Sequence, residues 1–176
     1  QTSYLFQSAK AVGKAGSDAG DKSRAKAKKS KNYQLAYKAY RNKKWKSAAV
    51  LFEKARRNGA LDIKGNYRLA HSYREMDLCK LAIKPLKHIQ EMEKRKKIWG
   101  DEEPVARKAK FLLARCYSKM NLPSDAYMIL SGYLLEPSKY QRELKQALKH
   151  KDFGWIHTSK QYREFKEDAD KKIRYK

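Results

Sequence analysis

Three stretches of this sequence carry side chains suited to recognition: Tyr33, Tyr37, Tyr40 and Arg41; then Lys64, Tyr67, His71 and Arg74; then Lys108, Phe111, Arg115 and Lys119. In each stretch aromatic and basic residues follow a helical step, which places them on one face of a helix. Tyrosine brings large contact area with little rotamer loss, and arginine brings a fork of donors that matches a carboxylate. The pattern therefore suits capture of an acidic or aromatic-containing peptide. Bond-making chemistry has no comparable foothold. His71, His88, His150 and His157 show neither i, i+4 pairing nor a cysteine at zinc-type spacing, and His71 with Cys79 makes only two candidate ligands. No Ser or Cys sits in a nucleophile elbow, and no carboxylate pair is isolated among apolar residues. The phrase "GSDAGDKS", Gly16 to Ser23, lacks the four-residue gap between glycines, the Lys directly after the second glycine, and the preceding strand that a phosphate loop needs. The expectation is a protein with no cofactor, no metal and no enzymatic activity.

What must position those faces is visible in "YKAYRNKKWKSAAVLFEKA", Tyr37 to Ala55, where two apolar stripes at helical spacing flank the polar break Arg41 to Lys44. That reads as two short amphipathic helices folded into a hairpin, and one hairpin cannot bury both of its faces. Copies follow. Leu35, Ala36, Ala48, Phe52 and Ala55 recur 34 residues later as Leu69, Ala70, Ala82, Leu86 and Ile89. Another 44 residues on stand Leu113, Ala114, Ala126, Leu130 and Tyr133, with Tyr117 repeating Tyr73. Self-similarity at this period means stacked helix pairs whose inner faces are buried only when neighbours add on.

On these residues the chain resembles the tetratricopeptide repeat family over about residues 29 to 140. The matching phrases are "LAYKAY" with "AAVLFEKA", "LAHSY" with "AIKPLKHI", and "LARCY" with "AYMILSGY". The departures are the missing Pro at the repeat ends, Ile89 and Tyr133 where the family prefers small residues, and Pro123 where the other copies have Trp45 and Cys79. The resemblance implies an all-α, right-handed α-solenoid of stacked helix-turn-helix repeats, with the first helix of each pair lining a concave groove that carries the three aromatic and basic stretches. Family members that clamp a peptide C-terminal carboxylate use a Lys and Asn arrangement on these helices. Here Tyr33, Tyr37, Arg68 and Leu112 stand where most of it would be and only Lys108 fits, so that mode of binding is not implied.

The expected organisation is an N-terminal helix and flexible basic linker over 1–30, three repeats over 31–61, 62–99 and 101–136, and capping helices over 137–176. Residues 13 to 31 hold no large apolar side chain, and so read as a linker entering the first repeat helix near Lys31. Gly59 is placed to end a helix, Asp62 to cap the next, and Pro123 to start one. The ten-residue excess falls in "EMEKRKKIWGDEEP", where Gly100 stops one helix and Asp101 with Pro104 starts another, so both should be long. Phe153, Trp155, Tyr162 and Phe165 would cover the open end of the last repeat.

With 43 Lys plus Arg against 19 Asp plus Glu, the net charge of +24 predicts an anionic partner. The principal expectation is a scaffold or adaptor binding an acidic protein or peptide; the alternative is electrostatic binding of nucleic acid or an anionic envelope polysaccharide. Cys79 and Cys116 read as buried thiols. No run reaches the roughly 18 apolar residues that a membrane helix needs. The start at Gln1 points to a processed, exported and periplasmic protein or to an excised fragment, with the cytoplasm as the other compartment.

Overall fold

The computed structural model describes residues 22–174, and every regular element among them is a helix. The helix expected over 1–12 and the linker up to residue 21 lie outside the described residues. Helix α1 covers 22–29, followed by α2 (Lys31–Arg41), α3 (Trp45–Arg57), α4 (Ile63–Glu75), α5 (Cys79–Lys94), α6 (Glu103–Lys119) and α7 (Pro123–Leu135). The chain continues with α8 (Gln141–Lys149), α9 (Trp155–Thr158) and α10 (Arg163–Arg174), and has 3-10 turns at Gly100–Glu102, Lys151–Phe153 and Lys160–Tyr162.

One device ends five of these helices. Lys43, Gly59, Asp77, Lys96 and Asn121 take left-handed φ values of 55 to 64°. The amide that follows each of them then donates to the carbonyl five residues back, for example Lys44 to Ala39 at 2.9 Å, Leu78 to Tyr73 at 2.8 Å and Leu122 to Tyr117 at 2.9 Å. These are Schellman caps, which satisfy carbonyls that the helix itself cannot. Lys43, Asp77 and Asn121 close the turns within successive helix pairs, and stand 34 and 44 positions apart, the intervals seen in the side chains. Helix starts use other chemistry: Ser30 Oγ accepts from the Tyr33 amide at 3.2 Å, Asp62 Oδ1 accepts from the Gly65 amide at 2.7 Å, and Pro123 opens α7. Gly100 does not stop α5. That helix ends at Lys94, with Arg95 as its cap and the left-handed Lys96 after it, and Gly100 instead begins the 3-10 turn before α6. As the excess residues required, α5 and α6 are long, at 16 and 17 residues.

Ala36 and Ala48 are fully buried where α2 meets α3, which lets the two backbones approach closely. Phe52 of α3 shares a buried cluster with Leu61 and Leu69, so it reaches past its own hairpin to α4. A second cluster joins Ala70, Ala82, Leu86, Ile89 and Leu113, and a third joins Ala114, Ala126, Leu130 and Tyr133 to Leu144, Phe153, Ile156 and Phe165. Each helix from α2 to α7 packs on the next, while α4 also touches α2 and α6. Helix α10 lies against α7, α8 and α9.

The linker reading is corrected over its described part, because residues 22–29 are helical and docked. Arg24 reaches across to the inserted segment: its Nε donates to Glu102 Oε1 at 2.9 Å and its terminal nitrogen to Oε2 at 2.7 Å. The same guanidinium bonds the Lys97 carbonyl at 3.1 Å and stacks 3.7 Å from the Trp99 ring. Ala27 is buried beside it. Docking here comes from a bidentate, charge-assisted pair and a small residue, which a search for large apolar side chains cannot detect.

Candidate binding groove

A cavity of about 590 Å³ opens between α4, α6 and α8, lined by Tyr67 and His71, by Arg107, Lys108, Phe111 and Arg115, and by Arg142, Glu143 and Gln146. It runs into a second space of about 790 Å³ through the shared residues Phe111, Arg115, Arg142 and Gln146, and ends among Lys145, Lys149 and His150. Helices α6 and α8 are tied across it. Arg107 donates to both carboxylate oxygens of Glu143 at 3.0 Å and to the Lys139 carbonyl at 2.6 Å. With Glu143 neutralised in this way, Lys108, Arg142, Lys145 and Lys149 are exposed along the groove and make no ion pair among the described residues. The available field is positive, and the low-dielectric walls focus it.

Of the expected face, Tyr67, His71, Lys108, Phe111 and Arg115 line the groove. Tyr67 stacks on His71 at 6.0 Å, and burial raises its hydroxyl pKa. Phe111 meets Phe153 edge to face at 5.7 Å. His71 is bounded by Tyr40, Trp45 and Tyr67; its Nδ1 lies 2.9 Å from the Tyr40 hydroxyl and its Nε2 lies 3.2 Å from Glu75. Burial lowers the pKa of this imidazole, with Glu75 pulling the other way. Tyr40 is pushed up to about 12, chiefly by burial.

The remaining expected residues are engaged elsewhere. Tyr33 donates to Asp62 Oδ1 at 2.8 Å, accepts from Arg68 at 3.2 Å and packs edge-on against Phe52, a structural role between α2 and α4. Tyr37 lies under the Arg68 guanidinium, 4.1 Å from its ring, and is bordered by Arg41; neither Tyr37 nor Arg41 lines the groove. Lys64 pairs with Asp101 at 2.8 Å and Lys119 with Asp77 at 2.7 Å.

Of the three arginines expected to meet a partner's carboxylate, Arg41, Arg74 and Arg115, the last two meet one from this chain. Asp152, in the turn after α8, accepts from Arg115 Nε at 3.0 Å and lies 3.5 Å from Arg74. Its side chain is 5% exposed. Burial disfavours the Asp152 charge, yet the Arg115 hydrogen bond and charge outweigh it and hold the carboxyl below the usual range. Ser118 Oγ donates to the Asp152 carbonyl, and Trp155 Nε1 to Ser118 Oγ, so the segment Asp152–Trp155 is stitched to α6.

Sequence reasoning missed the α8 wall of Arg142, Lys145, Gln146 and Lys149. The signal was present, since these four follow a helical step along α8. Among the described residues no three His, Cys, Asp or Glu side chains gather to hold a metal ion, and no helix is long and apolar enough to cross a membrane. No protein-family model, curated protein or solved structure matches this chain.

Proposed function

We propose that the helix pairs α2/α3, α4/α5 and α6/α7 stack as a right-handed solenoid of tetratricopeptide type, closed by α8 to α10, and that the groove between α4, α6 and α8 holds an extended acidic segment of a partner protein. The role is that of a non-enzymatic scaffold or adaptor. The observation that carries this reading is a continuous groove lined by Tyr67 and Phe111, whose exposed cations make no ion pair among the described residues. Aromatic lining residues supply apolar contact area, and Arg142, Lys145, Lys149 and Lys108 supply donors for carboxylates spaced along an extended chain.

The test uses a fluorescent peptide of alternating Glu and aromatic residues, followed by anisotropy against the full chain. R142E/K149E should weaken binding by about tenfold or more, since it replaces attraction with like-charge contact at two exposed positions, while circular dichroism stays unchanged. Unaltered affinity in that variant removes the groove from consideration. The +24 charge favours a second reading, binding of an anionic polymer. A single-stranded oligonucleotide run in parallel separates the two: polymer binding falls by orders of magnitude between about 50 and 200 mM salt, whereas aromatic-anchored peptide binding weakens far less.

A further inference from the structure

Cys79 and Cys116 come from different helix pairs, yet their sulfurs lie 2.6 Å apart. Carbon atoms in van der Waals contact settle at about 3.5 to 4.0 Å, and sulfur is larger; a disulfide bond is about 2.05 Å long. The two thiols are therefore packed closer than contact distance and within easy reach of bonding. Both residues are buried, at 5% and 0% exposure, within the cluster that joins α5 to α6. No third metal-ligating side chain gathers with them among the described residues, which leaves covalent pairing as the chemistry this arrangement can perform.

We infer that Cys79 and Cys116 form an intramolecular disulfide that staples α5 to α6, linking two successive helix pairs one residue away from the groove arginine Arg115. The two partners are unequal. Cys79 is the first residue of α5, where the helix N-terminus favours a thiolate. Its pKa is lowered, first by the hydrogen bond to Cys116 and further by the charges of Arg74 and Lys119, while Cys116 is raised. Cys79 is the attacking group. Its thiolate displaces one thiolate from a small-molecule disulfide such as oxidised glutathione, giving a mixed disulfide. Cys116 then loses its proton and attacks the Cys79 sulfur, expelling the second thiolate. The protein's two thiols are oxidised, the glutathione disulfide is reduced to two thiols, and the two protons from the protein end on them. The link persists in compartments where thiols are not kept reduced.

The experiment incubates the full chain with oxidised glutathione, unfolds it in an excess of alkylating reagent, and measures the intact mass. The expected product is lighter by two hydrogens, carries no alkyl group until reduced, and yields one cross-linked peptide pair containing Cys79 and Cys116. Reductant should then lower the melting temperature by about 5 to 15 °C, as expected for closing a loop of this length, and should leave C79A/C116A unmoved. Two alkylated cysteines, a stable glutathione adduct on Cys79, a disulfide formed only between chains, or a melting temperature indifferent to reductant would each overturn the staple.

Discussion

At the residue scale, the decisive contacts are polar groups that leave water only because another segment of this chain meets them. Asp152 is the clearest case, since its side chain is almost wholly enclosed with Arg74 and Arg115 around it. D152N keeps the shape and removes the charge, leaving two guanidinium groups unpaired. It should cost about 3 kcal/mol in urea unfolding, and a cost under a few tenths would mean the pair contributes nothing. The histidines set a different dependence. His71, His88 and His150 are all lowered by burial, so the folded state holds them neutral at a pH where the unfolded chain already binds protons. Their contribution is full above the unfolded value of about 6.5 and is lost as pH falls from there through the lowered folded values. Unfolding free energy should thus fall between pH 7 and 5, with a shallower slope in H71Q; equal slopes in the two proteins would discount His71.

At the element scale, ion pairs decide which segments count as part of the fold. Helix α1 has one buried alanine and is held by Arg24 on Glu102, whose side chains are 11% and 4% exposed. Removing one partner of a buried pair strands the other, at about 3 to 5 kcal/mol. E102A should therefore release α1 and raise the rate of tryptic cleavage at Lys26, Lys28 and Lys29 many-fold, while cleavage inside α4 stays slow. Equal protection in wild type and variant would show that α1 is held by something else. Glu102 is also the acceptor for the Trp99 amide at 3.0 Å, so the long insertion and the N-terminal helix form a single polar joint. Helix α8 illustrates the same point for the groove, because Arg107 on Glu143 ties it to α6 across the groove and makes its outward cations a wall.

At the scale of the whole molecule, the excess of cations works against compactness. Buried pairs such as Arg24–Glu102 and Arg115–Asp152 are screened little by salt, but the excess of like charges at the surface repels over distances that salt does screen. Raising sodium chloride from about 20 to 500 mM should therefore increase the melting temperature by a few degrees. A decrease would mean that exposed ion pairs, and not net repulsion, dominate the surface.

How much was legible follows from where each interaction lives along the chain. The helix pairs, the long α5 and α6, the Asp62 and Pro123 starts and the buried Ala36, Ala48 and Phe52 were readable, because helical spacing and local capping act within a few residues. Half of the groove was readable for the same reason, as Tyr67, His71, Lys108, Phe111 and Arg115 repeat at a helical step. What only the tertiary structure decided involves residues far apart in sequence. Arg24 meets Glu102, Asp152 reaches back to Arg74 and Arg115, Tyr33 turns to Asp62, and Cys79 meets Cys116. Periodicity states which face of a helix is apolar. It carries no record of which distant charge or thiol will be brought against that face, because such pairings are fixed by chain path and packing, and not by spacing along any one helix.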